Sequence, residues 1–283
     1  MSLKVDLHCH TQESDGSLTC EALIHRAVEQ GVDLLAITDH DTTAVHPQAA
    51  EIAQDLDIEI VPGVEISCAI DNQELHIVGL GIDINNQPLQ ELLAQNREAR
   101  KIRAEKILHK FQKSGLDDLT EQLNQLVKGQ VVCRSHLAQL LYSEGVVKDF
   151  QKAFNKYLAK KAKAWVPVKW QEMSLIVSRI NDAGGVAVLA HPSKYKISPN
   201  RLGLIIQAFA EAGGKAVEIA YPGLNPSERA RLIRQVELQQ LCVSQGSDFH
   251  RPGNSWTELG AFGVNPASFK AVWQHFDLIK ACH

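Results

Sequence analysis

The chain has 283 residues, 45% of them hydrophobic and 22% charged, with a formal net charge of -4 at pH 7. This composition excludes a disordered polyelectrolyte, a collagen-like repeat and a uniformly basic nucleic-acid binder, and the length suffices for one α/β barrel of about 250 residues plus an insertion. The start MSLKVDLHCH shows no apolar stretch behind a basic segment, and no window offers about 18 uncharged apolar residues, so neither a secretory leader nor a membrane span is expected and the chain reads as cytoplasmic.

In chain order, strands are predicted at Leu3–Leu7, Leu34–Thr38, Ile58–Ile66 with an interruption at Pro62 and Gly63, Leu75–Leu80, Val186–Ala190, Ala216–Ala220 and Leu241–Gln245. Helical patterns separate them. The first is Thr19–Gln30, with Thr19 as N-cap and Gly31 as the stop. Residues 171–183 end at Gly184 and Gly185, and residues 226–239 open after Pro226 with Ser227 in the first turn. Such alternation predicts βα units around a parallel sheet.

The alternation breaks between the fourth and fifth strands, where residues 98–163 read as helices: EARKIRAEKILHKFQKSGL, RSHLAQLLYSEG and KDFQKAFNKYLAKKAKAW. This stretch holds 14 Lys and Arg against 7 Asp and Glu, while the remainder holds 15 against 26. The expected organisation is a barrel built from residues 1–97 and 164–283, with residues 98–163 as a basic helical insertion covering the active site. Six cysteines, at 9, 20, 68, 133, 242 and 282, form no CxxC pair and are expected to be reduced and mostly buried.

Polar residues cluster at the strand ends. His8 and His10 follow the first strand with Asp15 just beyond, Asp39 and His40 end the second, Glu65 lies in the third and His76 near the fourth. His191 ends the fifth strand, and Asp248 and His250 follow the seventh. The strand ends of a βα barrel converge on one face, so these groups are expected to meet. All are nitrogen or oxygen donors suited to divalent Zn, Mn or Fe, and packing them together without a cation would be costly. His25, His46, His109, His275 and His283 match no pattern and are expected to be solvated or capping residues, and Cys9 is expected to face the wall.

The motifs DLHCHTQESDGS, AITDHD, VPGVEIS, LHIVGLG, VLAHPSKY and SQGSDFH, spanning Leu3 to His250, resemble those of the polymerase and histidinol phosphatase (PHP) superfamily of metal-dependent phosphoesterases. The resemblance implies a distorted seven-stranded (β/α)7 barrel with up to three divalent ions, Mn2+ first, with Zn2+ or Fe2+ as alternatives. It implies a first ion on His8, His10, Glu65 and Asp248, a second on Glu65, His76 and His191, and a third on Asp15, His40 and His250, with Glu65 bridging the first two. Asp15 stands where many members have histidine, which makes the third site harder.

Within the superfamily the chain is most similar to compact bacterial members that act as 3′,5′-nucleotide bisphosphate phosphatases and as 5′-3′ exoribonucleases on short RNA. CRSHLAQLL is similar to that branch's Arg-x-His segment; Lys161, Ala162 and Lys163 before Trp165 depart from its Gly-Lys pair. The resemblance implies a nucleotide or short RNA substrate, no membrane and no evident protein partner. Bound ions would generate a hydroxide that attacks phosphorus, with Glu65 and His191 holding the reacting centre. Leaving-group protonation stays open among a metal-bound water, Asp39 and His191.

The substrate-binding candidates are Arg134, Ser135 and His136: Arg134 is the first choice for a substrate phosphate, because a guanidinium fork matches phosphate geometry, with Ser135 capping a helix that begins with His136. The plainer reading is a surface arginine. Lys148, Lys152, Lys156 and Lys160, four apart, form one helical stripe that is either a solvated face or a steering surface. Trp165, Trp170 and Tyr195 are candidates to stack a base or to serve as core. Alternative functions are a histidinol-phosphate phosphatase, an amidohydrolase-type C–N hydrolase, and a noncatalytic metal-binding module.

Overall fold

In the computed structural model, which describes residues 3–253, 257–262 and 269–276, seven strands lie side by side in chain order. They are β1 (Val5–Cys9), β2 (Leu34–Ile37), β3 (Glu59–Ile70), β4 (Gln73–Leu80), β5 (Val186–Leu189), β6 (Ala216–Ala220) and β7 (Cys242–Gln245). The segment after β7 returns to β1: His10 N donates to Phe249 O at 2.9 Å and Asp248 N to His8 O at 2.8 Å. The result is a nearly closed seven-stranded barrel of the expected class.

The sheet is not wholly parallel, which corrects the expectation. β4 runs antiparallel to both β3 and β5, whereas the other pairs are parallel. Only Asp71 and Asn72 separate β3 from β4, with φ of 47° and 61°. Two positive-φ residues make a tight hairpin, and no crossover helix fits in so short a link. This is the distortion in the barrel, and it also explains why an early residue of β4 shares a face with late residues of its neighbours.

Alternation along the strands sorts side chains between two environments. Leu34, Ala36, Val61, Val78, Leu80, Val188, Ala190 and Ala216 gather with Val5 and Leu7 inside the barrel. Val64, Ile66, Leu75, Ile77, Ala187, Leu189, Val217 and Ile219 face the outer helices. In β1 the register shifts between Asp6 and Cys9, and Cys9 joins the outer cluster with Leu23, Ile24 and Ile37. The shift re-aims the strand end, so that His8 and His10 face inward where simple alternation from Leu7 would not place them.

The helices are α1 (Cys20–Glu29), α2 (His46–Ala53), α3 (Gln87–Lys113), α4 (Thr120–Leu126), α5 (Arg134–Ser143), α6 (Phe150–Ala153), α7 (Met173–Asp182), α8 (Pro199–Glu211) and α9 (Pro226–Leu238). Thr19 Oγ1 accepts from Ala22 N at 3.2 Å and caps α1 as expected. At α9 the cap is Asn225, in a capping box with Glu228, so Pro226 opens the helix rather than preceding it.

Residue 98 falls within the 27-residue α3, so no break separates barrel from insertion there. Leu89, Leu92 and Leu93 pack on the outer barrel cluster, while Ala104, Ile107, Leu108 and Phe111 enter a separate core with Leu137, Leu140, Leu141, Tyr157 and Leu158. The lysine stripe does not form. Lys148 precedes α6, a π-helical turn covers Phe154–Leu158, and Lys160 lies beyond it. All four lysines are exposed.

His46 departs from the expectation of a solvated or capping residue: it is buried, with Nε2 2.6 Å from Gly63 O, remote in the chain. His25 and His109 are exposed, and His275 is partly buried beside Cys242. Cys282 and His283 lie outside the described residues. Cys9, Cys20, Cys68 and Cys133 are buried free thiols, and Cys242 is a partly buried one. Among the described residues no helix is long and apolar enough to cross a membrane.

Candidate metal centre

Glu65 is the hub of the barrel mouth. It faces inward because Val64 and Ile66 on either side face out, and it is 1% exposed. Its Oε1 lies 2.9 Å from both His76 Nδ1 and His191 Nε2 and 3.4 Å from His8 Nε2. Its Oε2 lies 2.9 Å from His40 Nδ1 and 3.4 Å from His10 Nε2. His76 reaches this group because β4 runs backwards, pairing His76 with Ser67 near the site end of β3.

Asp248 and Asp15 complete the array. Asp248 Oδ1 is 3.5 Å from His8 Nε2, 3.3 Å from His10 Nε2 and 3.6 Å from His250 Nδ1. Asp15 Oδ1 is 3.3 Å from His250 Nε2 and 3.7 Å from His40 Nε2. All nine residues singled out in the sequence are thus brought together. They form four overlapping groups, His8–Glu65–His191, His8–His10–Asp248, His40–Glu65–His76 and His10–Asp15–His40–His250, with candidate donor atoms within 4.8 Å of one another in each.

Charge and burial are strongly opposed at this site. Burial raises carboxylate pKa values, but the neighbouring imidazoles outweigh it: Glu65, Asp15 and Asp248 are all held well below the ordinary range, Asp248 with Lys194 foremost. Burial also disfavours imidazolium, yet Glu218, Glu65 and Asp248 lift His8 well above its usual value, and Asp15 lifts His250 to about 9. For His10 burial wins, helped by His250 and His40, and its pKa falls to about 3.

The fit to divalent cations rests on stranded donors. His8 Nε2, His10 Nε2, His40 Nδ1, Glu65 Oε2 and Asp15 Oδ1 are buried without a properly oriented hydrogen-bond partner. Buried polar atoms left so are costly, and a cluster of them made only of imidazole and carboxylate suits a first-row divalent ion. The distal nitrogens of His8 and His10 are already engaged. His8 Nδ1 is 2.7 Å from Glu218 Oε1, and His10 Nδ1 is 3.4 Å from Ser14 Oγ, which itself donates to Asp39 Oδ1 at 2.6 Å. Histidines that bind metals are oriented in this manner by their other ring nitrogen.

Asp39 is therefore placed differently from the sequence expectation. Its oxygens accept from Thr11 N at 2.8 Å, Thr11 Oγ1 at 2.6 Å and Ser14 Oγ, so it organises the loop that carries His10 and Asp15 and is absent from the four donor groups. Burial pushes its pKa up to about 7 despite these bonds. Nothing in this geometry offers it to a leaving group.

Ser135 and His136 also differ from expectation. α5 begins at Arg134, Ser135 Oγ donates to Asp15 Oδ2, and His136 Nδ1 accepts from Cys133 N at 3.1 Å, so the N-cap is Cys133, closed by His136 from the third helical position, and not Ser135. Arg134 Nη2 lies 3.7 Å from Glu74 Oε1, and its guanidinium stands 5.8 Å from the Trp165 ring centre. Arg103 approaches the same ring at 4.9 Å and the same carboxylate at 3.5 Å. Burial opposes ionisation of Glu74, but Arg134 and Arg103 bring its pKa down to about 2. Trp170 is buried under Arg100, and Tyr195 Oη donates to Ala190 O at 2.8 Å, so both have structural roles.

Sequence reading missed several groups. Arg100 joins Asp41 Oδ2 at 2.7 Å and Ser67 Oγ at 2.7 Å, and Arg97 reaches Asp41 O at 2.9 Å. Spaced by three in α3, these arginines resemble any polar helix face. Lys194, paired with Asp248, follows His191 too closely to stand out. Glu218 had a signal: a lone carboxylate in the apolar strand AVEIA. Gly246 is also required, since a Cβ there would come within 2.3 Å of His8 Cβ.

A seven-stranded barrel with this donor array defines the class. The PHP domain family matches residues 6–166, and the chain belongs to that family. It is 43% identical over 271 residues to the 5′-3′ exoribonuclease Rnm of Escherichia coli, covering 95% of this chain and 92% of that protein. It is 32% identical over 274 residues to the 3′,5′-nucleoside bisphosphate phosphatase of Chromobacterium violaceum, covering 96% of each. Among solved structures, one described as an amidohydrolase from Chromobacterium violaceum, with bound sulfate and no metal, has a TM-score of 0.92 at 32% identity, covering 97% of this chain and 96% of that one.

Proposed function

We propose that this protein is a metal-dependent phosphoesterase of nucleotides, a 3′,5′-nucleotide bisphosphate phosphatase and 5′-3′ exoribonuclease on short RNA. The observation that carries this reading is the adjacency of the Glu65-centred donor array to the Arg103–Arg134–Trp165 group, joined through the Ser135–Asp15 hydrogen bond. Its similarity to the Escherichia coli exoribonuclease and the Chromobacterium violaceum phosphatase supports it.

His8, His10, Glu65 and Asp248 would hold a first ion, Glu65, His76 and His191 a second, and Asp15, His40 and His250 a third, with Mn2+ the first choice and Zn2+ or Fe2+ alternatives. Divalent ions supply a nucleophile at neutral pH and positive charge for the transferring phosphoryl oxygens. Glu218 and Ser14 hold the His8 and His10 rings in place, and Lys194 is within reach of the same mouth through Asp248. Arg134, 31% exposed at its side chain, is positioned to exchange Glu74 for a substrate phosphate remote from the bond being cut. Trp165, partly buried between Arg103 and Arg134, offers the neighbouring apolar surface for a base.

Residues 98–163 act in this reading as a cover that brings cationic groups over the mouth. The separate core of the insertion and the bonds from Arg100 to Asp41 and from Ser135 to Asp15 support that role. A C–N hydrolase needs no such arginine cluster, and a histidinol-phosphate phosphatase has only one phosphate to bind. Phosphate release is to be measured with Mn(II) from adenosine 3′,5′-bisphosphate, AMP and histidinol phosphate, and release of nucleoside 5′-monophosphates from a 5′-phosphorylated oligoribonucleotide. Turnover of the bisphosphate and the RNA is expected to dominate. Preference for histidinol phosphate, or no turnover of any of these esters, would overturn the reading.

A further inference from the structure

Glu218 lies in β6 between Val217 and Ile219, which face the outer cluster, and is itself 1% exposed inside the barrel. It belongs to none of the four donor groups. Its two oxygens instead accept hydrogen bonds from two of their members: Oε1 from His8 Nδ1 at 2.7 Å and Oε2 from the backbone N–H of His191 at 2.6 Å. We infer that Glu218 is a positioning residue of the metal centre, a single carboxylate that sets the proton and ring orientation of His8 and the backbone turn of His191 together. The inference rests on the metal reading proposed above.

Both partners are donors, and this makes a carboxylate necessary. Once it gives up a proton to hold an ion, His8 keeps the remaining one on Nδ1 against Glu218, which leaves Nε2, 3.4 Å from Glu65 and 3.5 Å from Asp248, free to ligate. A proton on Nε2 would remove that lone pair from the centre. His191 has φ 30° and ψ 54°, a left-handed conformation that a side-chain-bearing residue rarely adopts. Its N–H is held by Glu218 while its Nε2 is delivered 2.9 Å from Glu65 Oε1. One group thus joins the end of β1 to the turn after β5, two segments remote in sequence that must present their rings in register.

A glutamine has nearly the same shape but only one acceptor. In Glu218→Gln the amide NH2 must face either His8 Nδ1 or His191 N–H. The first choice favours the wrong His8 tautomer, and the second sets two donors against each other in the turn. Aspartate is one methylene shorter and is not expected to span both partners.

The test titrates Zn(II) into ion-free wild type and Glu218→Gln, with chelator competition for affinity and circular dichroism for fold. The variant is expected to keep its fold and lose about 10- to 100-fold in ion affinity. In zinc-loaded wild type, 15N NMR is expected to show the His8 proton on Nδ1, and Glu218→Gln is expected to alter that resonance. Equal affinity in the two proteins overturns the role of Glu218 alone, whereas no Zn(II) binding by wild type overturns the metal reading. If the variant does not fold, the wild-type spectrum decides: a His8 Nδ1 proton shifted downfield and protected from exchange, as a hydrogen bond to Glu218 requires, upholds the role, and a freely exchanging Nδ1 proton or a proton on Nε2 overturns it.

Discussion

Ser135 Oγ donates a hydrogen bond to Asp15 Oδ2, joining the first turn of α5 to the loop after β1 across 120 residues of sequence. The other oxygen of Asp15 faces His250 and His40. The insertion is therefore bonded directly to the donor array, and the cationic groups it carries are held beside that array.

Glu65→Gln should abolish turnover of every phosphate ester, by about two orders of magnitude or more, because one oxygen of the hub becomes a donor facing imidazoles. His191→Ala should behave likewise. Steady-state rates with added Mn(II) check both, alongside circular dichroism to establish that the fold persists; near-wild-type rates would refute the assignment.

Ion binding should release protons and weaken as pH falls. In the ion-free protein burial opposes imidazolium, yet the surrounding carboxylates lift His8 well above its ordinary value, and Asp15 lifts His250 to about 9. Both rings are then protonated at neutral pH and must lose protons to become ligands, so affinity should rise with pH until these groups are neutral. Calorimetry in buffers of differing ionisation enthalpy measures the released protons. An affinity indifferent to pH through the neutral range would contradict this.

Arg134→Ala should lower kcat/KM for a nucleotide bisphosphate by roughly 10- to 1000-fold, equivalent to about 1.4 to 4 kcal/mol. A small generic monoester, which has no second phosphate, should change far less. Equal losses on both substrates would mean that Arg134 serves the centre or the fold, and no loss on either would leave it a surface residue.

Phe111→Ala should destabilise the insertion by about 3 to 5 kcal/mol through a cavity in its own core. Phe111 is fully buried, with its ring edge-on to Tyr157 at 5.8 Å. If residues 98–163 act as a cover with a separate core, the number of ions bound should stay unchanged while activity on the bisphosphate falls. Thermal unfolding and ion titration on the same variant provide the comparison; loss of ion binding would show that the cover and the centre fold as one.

Local sequence carried much of this architecture for identifiable reasons. The seven strand runs were legible because strands buried on both faces are predominantly apolar, and ionisable residues in them and at their ends stood out against that background. Thr19 and Gly31 marked the ends of α1 because cap and stop are local requirements. His8, Glu65 and His191 could be grouped because a barrel directs strand ends to one face.

Tertiary structure decided what depends on partners remote in the chain. The hairpin at Asp71 and Asn72 reverses β4, and only that reversal brings His76 beside Ser67 rather than to the opposite end of the barrel. Asp39 looked available for catalysis in AITDHD, but its oxygens are taken by Thr11 and Ser14. His46 matched no local pattern and read as solvated or capping, but its ring is held against Gly63 O. Composition and periodicity determine which residues are polar, helical or buried; which donor meets which acceptor is settled only when segments such as β1, β6 and the turn after β5 are packed within hydrogen-bond reach.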